Sequence, residues 1–340
     1  MSTQSKSLII NTLVKLGRQL SNPNETLSQL IKTESNHNAW FTPESVEQAV
    51  IAAGSSLTEN TLTQWLDKYH FSNSTPKKIG LILAGNIPLV GFHDVLCVLI
   101  SGNIALIKAS SQDARLIKYV LQLLVDLDSS FAEQIQFVER LEGFDAVIAT
   151  GSNNTSRYFE YYFGKVPHII RKNRNSLALL TGNETAEELN QLGKDIFAYY
   201  GLGCRNVSKL MVPAGYNFVP FFEAIESYND VIHHHKYNNN YDYNKSIYLV
   251  NSDKHFDNGF LLLKKDERLA SPLAVLFYEE YVDLAAAQTK LAEQADQIQC
   301  IVSGTDLQVP NQVVPFGQSQ QPALWDYADG IDTMEFLSNL

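Results

Sequence analysis

From Lys78 onward the chain alternates short apolar runs with turns and helical stretches, and this alternation limits the fold more than any other feature. Ile79-Gly-Leu-Ile-Leu-Ala84 is a run of buried-strand type, ended by Gly85-Asn-Ile-Pro88, and residues 92–100 read as a buried helix. Ile104-Ala-Leu-Ile-Lys108 is a second strand. Ser110-Ser-Gln-Asp113 then caps a helix to 127, and strands follow at 135–138 and 146–150. Gly151-Ser-Asn-Asn154 opens a helix through 163. Strand, turn and helix repeated in this way predict right-handed βαβ units and a parallel sheet. In such a sheet ligands bind outside the carboxyl ends of the strands, where Gly85-Asn86, Lys108 and Gly151-Ser152 all fall.

Ahead of this region, apolar positions recur at threes and fours over 8–20, 26–32, 43–53 and 57–69, with breaks at 21–24 and 72–76. That part reads as helical and carries no evident chemistry. Beyond 163, strands at 168–172 and 177–180 flank the basic turn Arg171-Lys-Asn-Arg174, and a helix spans 184–200. Further strands are expected at 209–212, 246–250, 273–278 and 298–302, with helices at 218–227 and 282–295 and a loop over the Tyr/Asn-rich run 237–244. Two α/β domains follow from this pattern. Residues 1–172 would hold the N-terminal helices and a first α/β domain, 173–312 a second, and 313–340 a segment that packs back on the body.

Composition excludes several function classes. With 26 basic against 37 acidic residues in 340, the net charge of −11 opposes a sequence-independent grip on nucleic acid. Three cysteines do not make a disulfide framework and suit a reducing compartment. No apolar run reaches the length of a spanning helix, and the N-terminus lacks a signal-peptide core, so a cytoplasmic location is expected. His233-His-His235 invites a metal, but neighbouring strand residues point to opposite faces, and no metal site is expected there.

The stretch Asp195-Ile-Phe-Ala-Tyr-Tyr-Gly-Leu-Gly-Cys204 ends a helical pattern at a Gly-Leu-Gly turn, which puts a thiol on a backbone bend. Gly201 and Gly203 can take positive φ there and let another molecule approach the main chain. Cys97 and Cys300, by contrast, lie in apolar runs where a thiol acts as a small hydrophobe. Local context alone still admits an inert loop cysteine at 204.

Five segments in order carry more weight than any one of them: Gly85-Asn-Ile-Pro88; Gly102-Asn103 with Leu106-Ile-Lys-Ala-Ser110; Thr150-Gly-Ser152; Gly203-Cys204; and Glu267-Arg-Leu-Ala-Ser-Pro272. Together they resemble the aldehyde dehydrogenase superfamily over roughly residues 78–337. They look most like its acyl-CoA reductase branch, the family of the bacterial luminescence fatty acyl reductase. Two departures stand out: Ala109 replaces the usual proline, and the Glu267 segment has one extra residue.

The resemblance implies an aldehyde dehydrogenase-like fold, with dinucleotide binding in the domain of 1–172 and catalysis in that of 173–312, and a role for each matching residue. Cys204 would be the nucleophile, with Arg205 or helix N-terminal amides available to lower its pKa. Asn86, with the main-chain N–H of Cys204, would stabilise the oxyanion, each such donor contributing about 3 kcal/mol. Lys108 would reach the adenosine ribose and could meet a 2′-phosphate, which favours NADPH while admitting NADH. Gly151 and Ser152 would face the pyrophosphate and Glu267 the nicotinamide ribose. The absence of a GxGxxG motif agrees with the superfamily.

Hydrolytic members carry a glutamate in the turn before the nucleophile helix, whereas here no Asp or Glu lies between Glu160 and Glu184. Without a base to activate water, an acyl-cysteine outlives hydrolysis and can react with hydride or CoA. The expected substrate is an acyl-CoA, fatty in character, or an acyl-protein thioester, reduced to the aldehyde. Arg171, Lys172 and Arg174 are read either as counter-charges for CoA or the cofactor, or as a solvated basic turn. A homodimer is left open. The competing readings are an NAD(P)-dependent aldehyde dehydrogenase with another base, and a non-catalytic dinucleotide-binding or scaffold protein.

Overall fold

The computed structural model describes residues 3–69, 75–151 and 153–340, so most of the break expected at 72–76 lies outside the described residues. The chain divides into two compact units, one formed by Met1–Asn173 with Ala323–Leu340 and the other by Arg174–Pro322.

In the first unit the apolar runs form β1 (Lys78–Ile82), β2 (Ile104–Lys108), β3 (Ile135–Phe137), β4 (Ala146–Thr150) and β5 (His168–Arg171). They pair in the order β3-β2-β1-β4-β5, every neighbour parallel. Strand order therefore reverses between β1 and β4. The helices Phe92–Ile100 and Ala114–Leu127 supply crossovers, the first buried at every residue but His93 and the second along its Leu116, Ile117, Val120, Leu121 and Leu124 stripe. Helices Thr3–Ser21, Glu25–Thr33, Pro43–Ser56 and Glu59–Leu66 precede β1. Their buried Leu13, Leu16, Val50 and Trp65 join the same core as Ile79, Leu81 and Ile107. C-terminal Leu324, Tyr327, Met334 and Leu337 enter that core too.

The second unit contains β6 (Asn175–Leu179), β7 (Val207–Pro213), β8 (His255–Asp257), β9 (Leu262–Lys265), β10 (Val275–Tyr281), β11 (Ile298–Val302) and β12 (Val313–Val314). Their order is β12-β11-β6-β7-β10-β9-β8, parallel except where β8 meets β9. The expectation of parallel-sheet α/β architecture holds in both units.

One expected strand is wrong. Residues 246–250 close a helix, His235–Val250, which also absorbs the expected loop at 237–244. Tyr237, Tyr241, Asn244 and Tyr248 are its buried residues, a stripe at helical spacing that polar and aromatic types conceal from an apolar-periodicity reading. The three histidines lie on no strand: His233 ends a 3₁₀ turn, His234 caps the helix and His235 starts it. Among the described residues no group of metal-ligating side chains forms, and no helix is long and apolar enough to cross a membrane.

Candidate active site

Three of the predicted residues follow adjacent strands of the first sheet. The Asn86 turn leaves β1, Lys108 ends β2 and Gly151 follows β4, so the parallel order β2-β1-β4 brings all three to one carboxyl edge, at the reversal point. Ser152 lies outside the described residues.

The Asn86 turn is held by its flanks. A Cβ on Gly85 would clash with the Ser110 side chain, so glycine lets the turn close on the segment after β2. Leu89, at φ 57, donates its amide to Asp113 Oδ2 at 2.9 Å. Burial pushes the Asp113 pKa up to about 8, against the lowering effect of the Leu89 amide. Asn86 itself is exposed. Lys108 is exposed as well, and its Nζ donates to the Glu139 carbonyl at 2.9 Å. The Gly151 amide donates to the Arg171 carbonyl at 3.4 Å, and the helix Asn153–Phe163 opens shortly after it.

Cys204 lies in the second unit, between the helix Ala186–Phe197 and β7. The helix ends earlier than its apolar pattern suggests because Tyr199, Tyr200 and Gly201 take φ 50, 58 and 80. Glycine carries that conformation without strain, but the two tyrosines do not. Asn206 compensates. Its Nδ2 donates to the carbonyls of Ala198 at 2.9 Å, Asp195 at 3.1 Å and Ile196 at 3.3 Å, and its Oδ1 accepts the Gly203 amide at 2.8 Å. On the other side, Ser176 Oγ donates to the Cys204 carbonyl at 3.0 Å. The main chain on both sides of Cys204 is thus pinned by buried side chains, while the cysteine itself is exposed. Cys97 and Cys300 are buried, as their apolar runs predicted, and burial pushes the Cys97 thiol pKa up.

Asn206 escaped the sequence reading, since an asparagine between a turn and a strand is a common turn former and signals little more. Arg205 is tied into the fold. Its guanidinium is buried against the Ser319 carbonyl and, at 2.7 Å, Gln312 Oε1, which makes it a structural tie. Arg171 is equally unavailable to CoA: it is buried and pairs with Asp94 at 2.6 Å while donating to Thr333 Oγ1 at 2.9 Å. Lys172 makes a surface pair with Glu160 at 2.9 Å. Glu267 is exposed on the loop after β9, and its carbonyl accepts from Lys209 Nζ at 2.7 Å.

The profile of the family described as acyl-CoA reductase (LuxC) matches residues 15–218, well over half of the chain, a span that includes Asn86, Lys108, Gly151 and Cys204. The chain belongs to this family. It is accordingly an oxidoreductase of the aldehyde or oxo group. The fold of this LuxC-family chain is similar to that of KauB, an aldehyde dehydrogenase from Pseudomonas aeruginosa (13% identity, 99% of this chain and 83% of that one, TM-score 0.69). It is similar too to aldehyde dehydrogenase 21 from Physcomitrella patens, solved with the product succinate (12% identity, 98% and 84%, TM-score 0.69). A cysteine-to-alanine mutant of aldehyde dehydrogenase C from Pseudomonas syringae, solved with NAD+ and octanal, is a third (14% identity, 99% and 83%, TM-score 0.66). No curated protein matches the chain by sequence.

Proposed function

We propose that this LuxC-family protein reduces an acyl thioester, acyl-CoA in the first instance, to the aldehyde with NADPH, through an acyl intermediate on Cys204. The observation that carries the reading is an exposed thiol on a pinned turn, in a chain with no carboxylate between Glu160 and Glu184. A site built to hydrolyse its acyl-enzyme needs a base there; a site that passes the acyl group to hydride does not.

The chain's residues divide the work. The Cys204 thiolate attacks the thioester carbon, the carbon–sulfur bond to CoA breaks, and CoA leaves with the proton the cysteine gave up. Asn86 Nδ2 and the Cys204 amide donate to the oxyanion. Expulsion of the Cys204 thiolate from the reduced tetrahedral carbon releases the aldehyde. The edge residues of the first sheet fit a phosphorylated dinucleotide: Lys108 presents a solvent-facing ammonium at its strand end, beside the point where strand order reverses. NADPH, when bound, supplies the hydride. Lys108 would meet its adenosine ribose or 2′-phosphate, Gly151 and Ser152 its pyrophosphate, and Glu267 its nicotinamide ribose.

Intact-mass analysis after incubation with an acyl-CoA, without NADPH, tests the proposal. The chain should gain one acyl group and release one CoA, and Cys204→Ala should gain nothing. Acyl mass on that variant would remove the nucleophile assignment. Turnover of aldehyde with NAD+ in the absence of CoA would instead support hydrolytic aldehyde oxidation.

A further inference from the structure

Lys209 is 0% exposed, although a buried ammonium is strongly disfavoured unless it is fully paired. Its Nζ donates to Glu279 Oε2 at 2.6 Å and to the Glu267 carbonyl at 2.7 Å. Glu279 also pairs with Lys290. The neighbouring Ser208 donates from Oγ to the Leu269 carbonyl at 2.8 Å and to the Ser176 carbonyl at 3.2 Å. Two successive strand residues ordinarily point to opposite faces. Here both reach one loop, because the pairing of β6 with β7 slips: Ser176 opposes Val207 while Leu177 opposes Lys209, which leaves Ser208 as an extra residue. Such a bulge re-aims side chains next to functional sites.

The loop these residues hold, between β9 and β10, has the carbonyls of Glu267, Leu269 and Leu273 fastened by side chains. Asn244 Nδ2 takes the Leu273 carbonyl at 3.0 Å, completing a set with Lys209 and Ser208. The loop also returns to the nucleophile turn, since a Cβ on Gly201 would lie 3.7 Å from Leu273 Cδ2.

We infer that Ser208 and Lys209, aimed together by the bulge in β7, are positioning residues that set the Glu267 loop in register with the Cys204 turn and thereby serve the nicotinamide-ribose contact. The inference rests on the role proposed for Glu267. It assigns Lys209 to the reduction half of the reaction and not to acylation: its donor reaches the loop, and the pins of the Cys204 turn are Asn206 and Ser176.

Kinetics on the full chain separate the two halves. Lys209→Met and Ser208→Ala should each raise the KM for NADPH, roughly tenfold or more for the lysine and several-fold for the serine, because a small displacement of a contact residue is costly. Acylation by acyl-CoA in the absence of NADPH, read as CoA release, should keep its wild-type rate and at the same time report that the variants are folded. Glu267→Gln is the control. If it raises the KM for NADPH while both other variants leave it unchanged, the positioning role is overturned and the Glu267 reading stands. If Glu267→Gln has no effect on NADPH, the ribose role fails and takes this inference with it. A parallel fall in acylation in the Ser208 and Lys209 variants would show general loosening and overturn the assignment as well.

Discussion

The Asp195 carboxylate accepts the main-chain amide of Ser319 at 2.9 Å. Its other oxygen accepts the Gly317 amide at 2.6 Å, and Arg205 donates to the Ser319 carbonyl. Asp195 sits on the helix that leads to Cys204, and Arg205 directly follows the cysteine. The segment that carries the chain out of the second unit is therefore fastened to both flanks of the Cys204 turn. Burial raises the Asp195 pKa above the ordinary carboxylate value, and the two amides pull it back.

Replacing Asp195 by Ala leaves two amides without their acceptor. The loss should be about 1–3 kcal/mol for each. Denaturant unfolding should show it as a lower midpoint, together with slower acylation of Cys204. A variant with wild-type stability would mean that water replaces the carboxylate.

Asn206→Ala removes the four side-chain hydrogen bonds that tie the left-handed turn to the helix end. Three carbonyls and one amide lose their partner, so a stability cost of about 2–4 kcal/mol is expected. The CoA-release rate on acyl-CoA should fall by roughly ten- to a hundredfold, since the thiol would no longer be held in place. Asn206→Asp keeps the acceptor for Gly203 but not the donors, and should recover little.

Asp113 links pH to the stability of the first unit. Its folded pKa, about 8, lies above the ordinary carboxylate value, so the folded state holds a proton that the unfolded chain has released. The stability it contributes is fully present below about pH 4 and is lost as pH rises through about 8, with a slope of about 1.4 kcal/mol per unit. Asp113→Asn should flatten that part of the profile, as read from urea midpoints at several pH values between 5 and 9.

Arg171 should behave as a structural residue. Arg171→Met strands Asp94 in the interior and should cost about 3–5 kcal/mol, while the KM for acyl-CoA in the folded fraction stays unchanged. The double variant Arg171→Met with Asp94→Leu should recover much of the stability. A raised KM without loss of stability would return the arginine to the substrate.

Taken alone, the sequence determined the alternation of buried runs and helices that becomes two mainly parallel sheets, and it singled out Cys204 from the two cysteines embedded in apolar runs. Both are local signals, set by what flanks a residue within a few positions. The helix over His235–Val250 lay beyond that reach because its buried stripe is tyrosine and asparagine. Only the tertiary structure decided which polar side chains would be structural. Arg171 finds Asp94 77 positions away, Lys209 finds the Glu267 carbonyl 58 away and Asp195 finds Ser319 124 away. A buried charge or amide takes its role from the partner that replaces water, and strand order and register choose that partner.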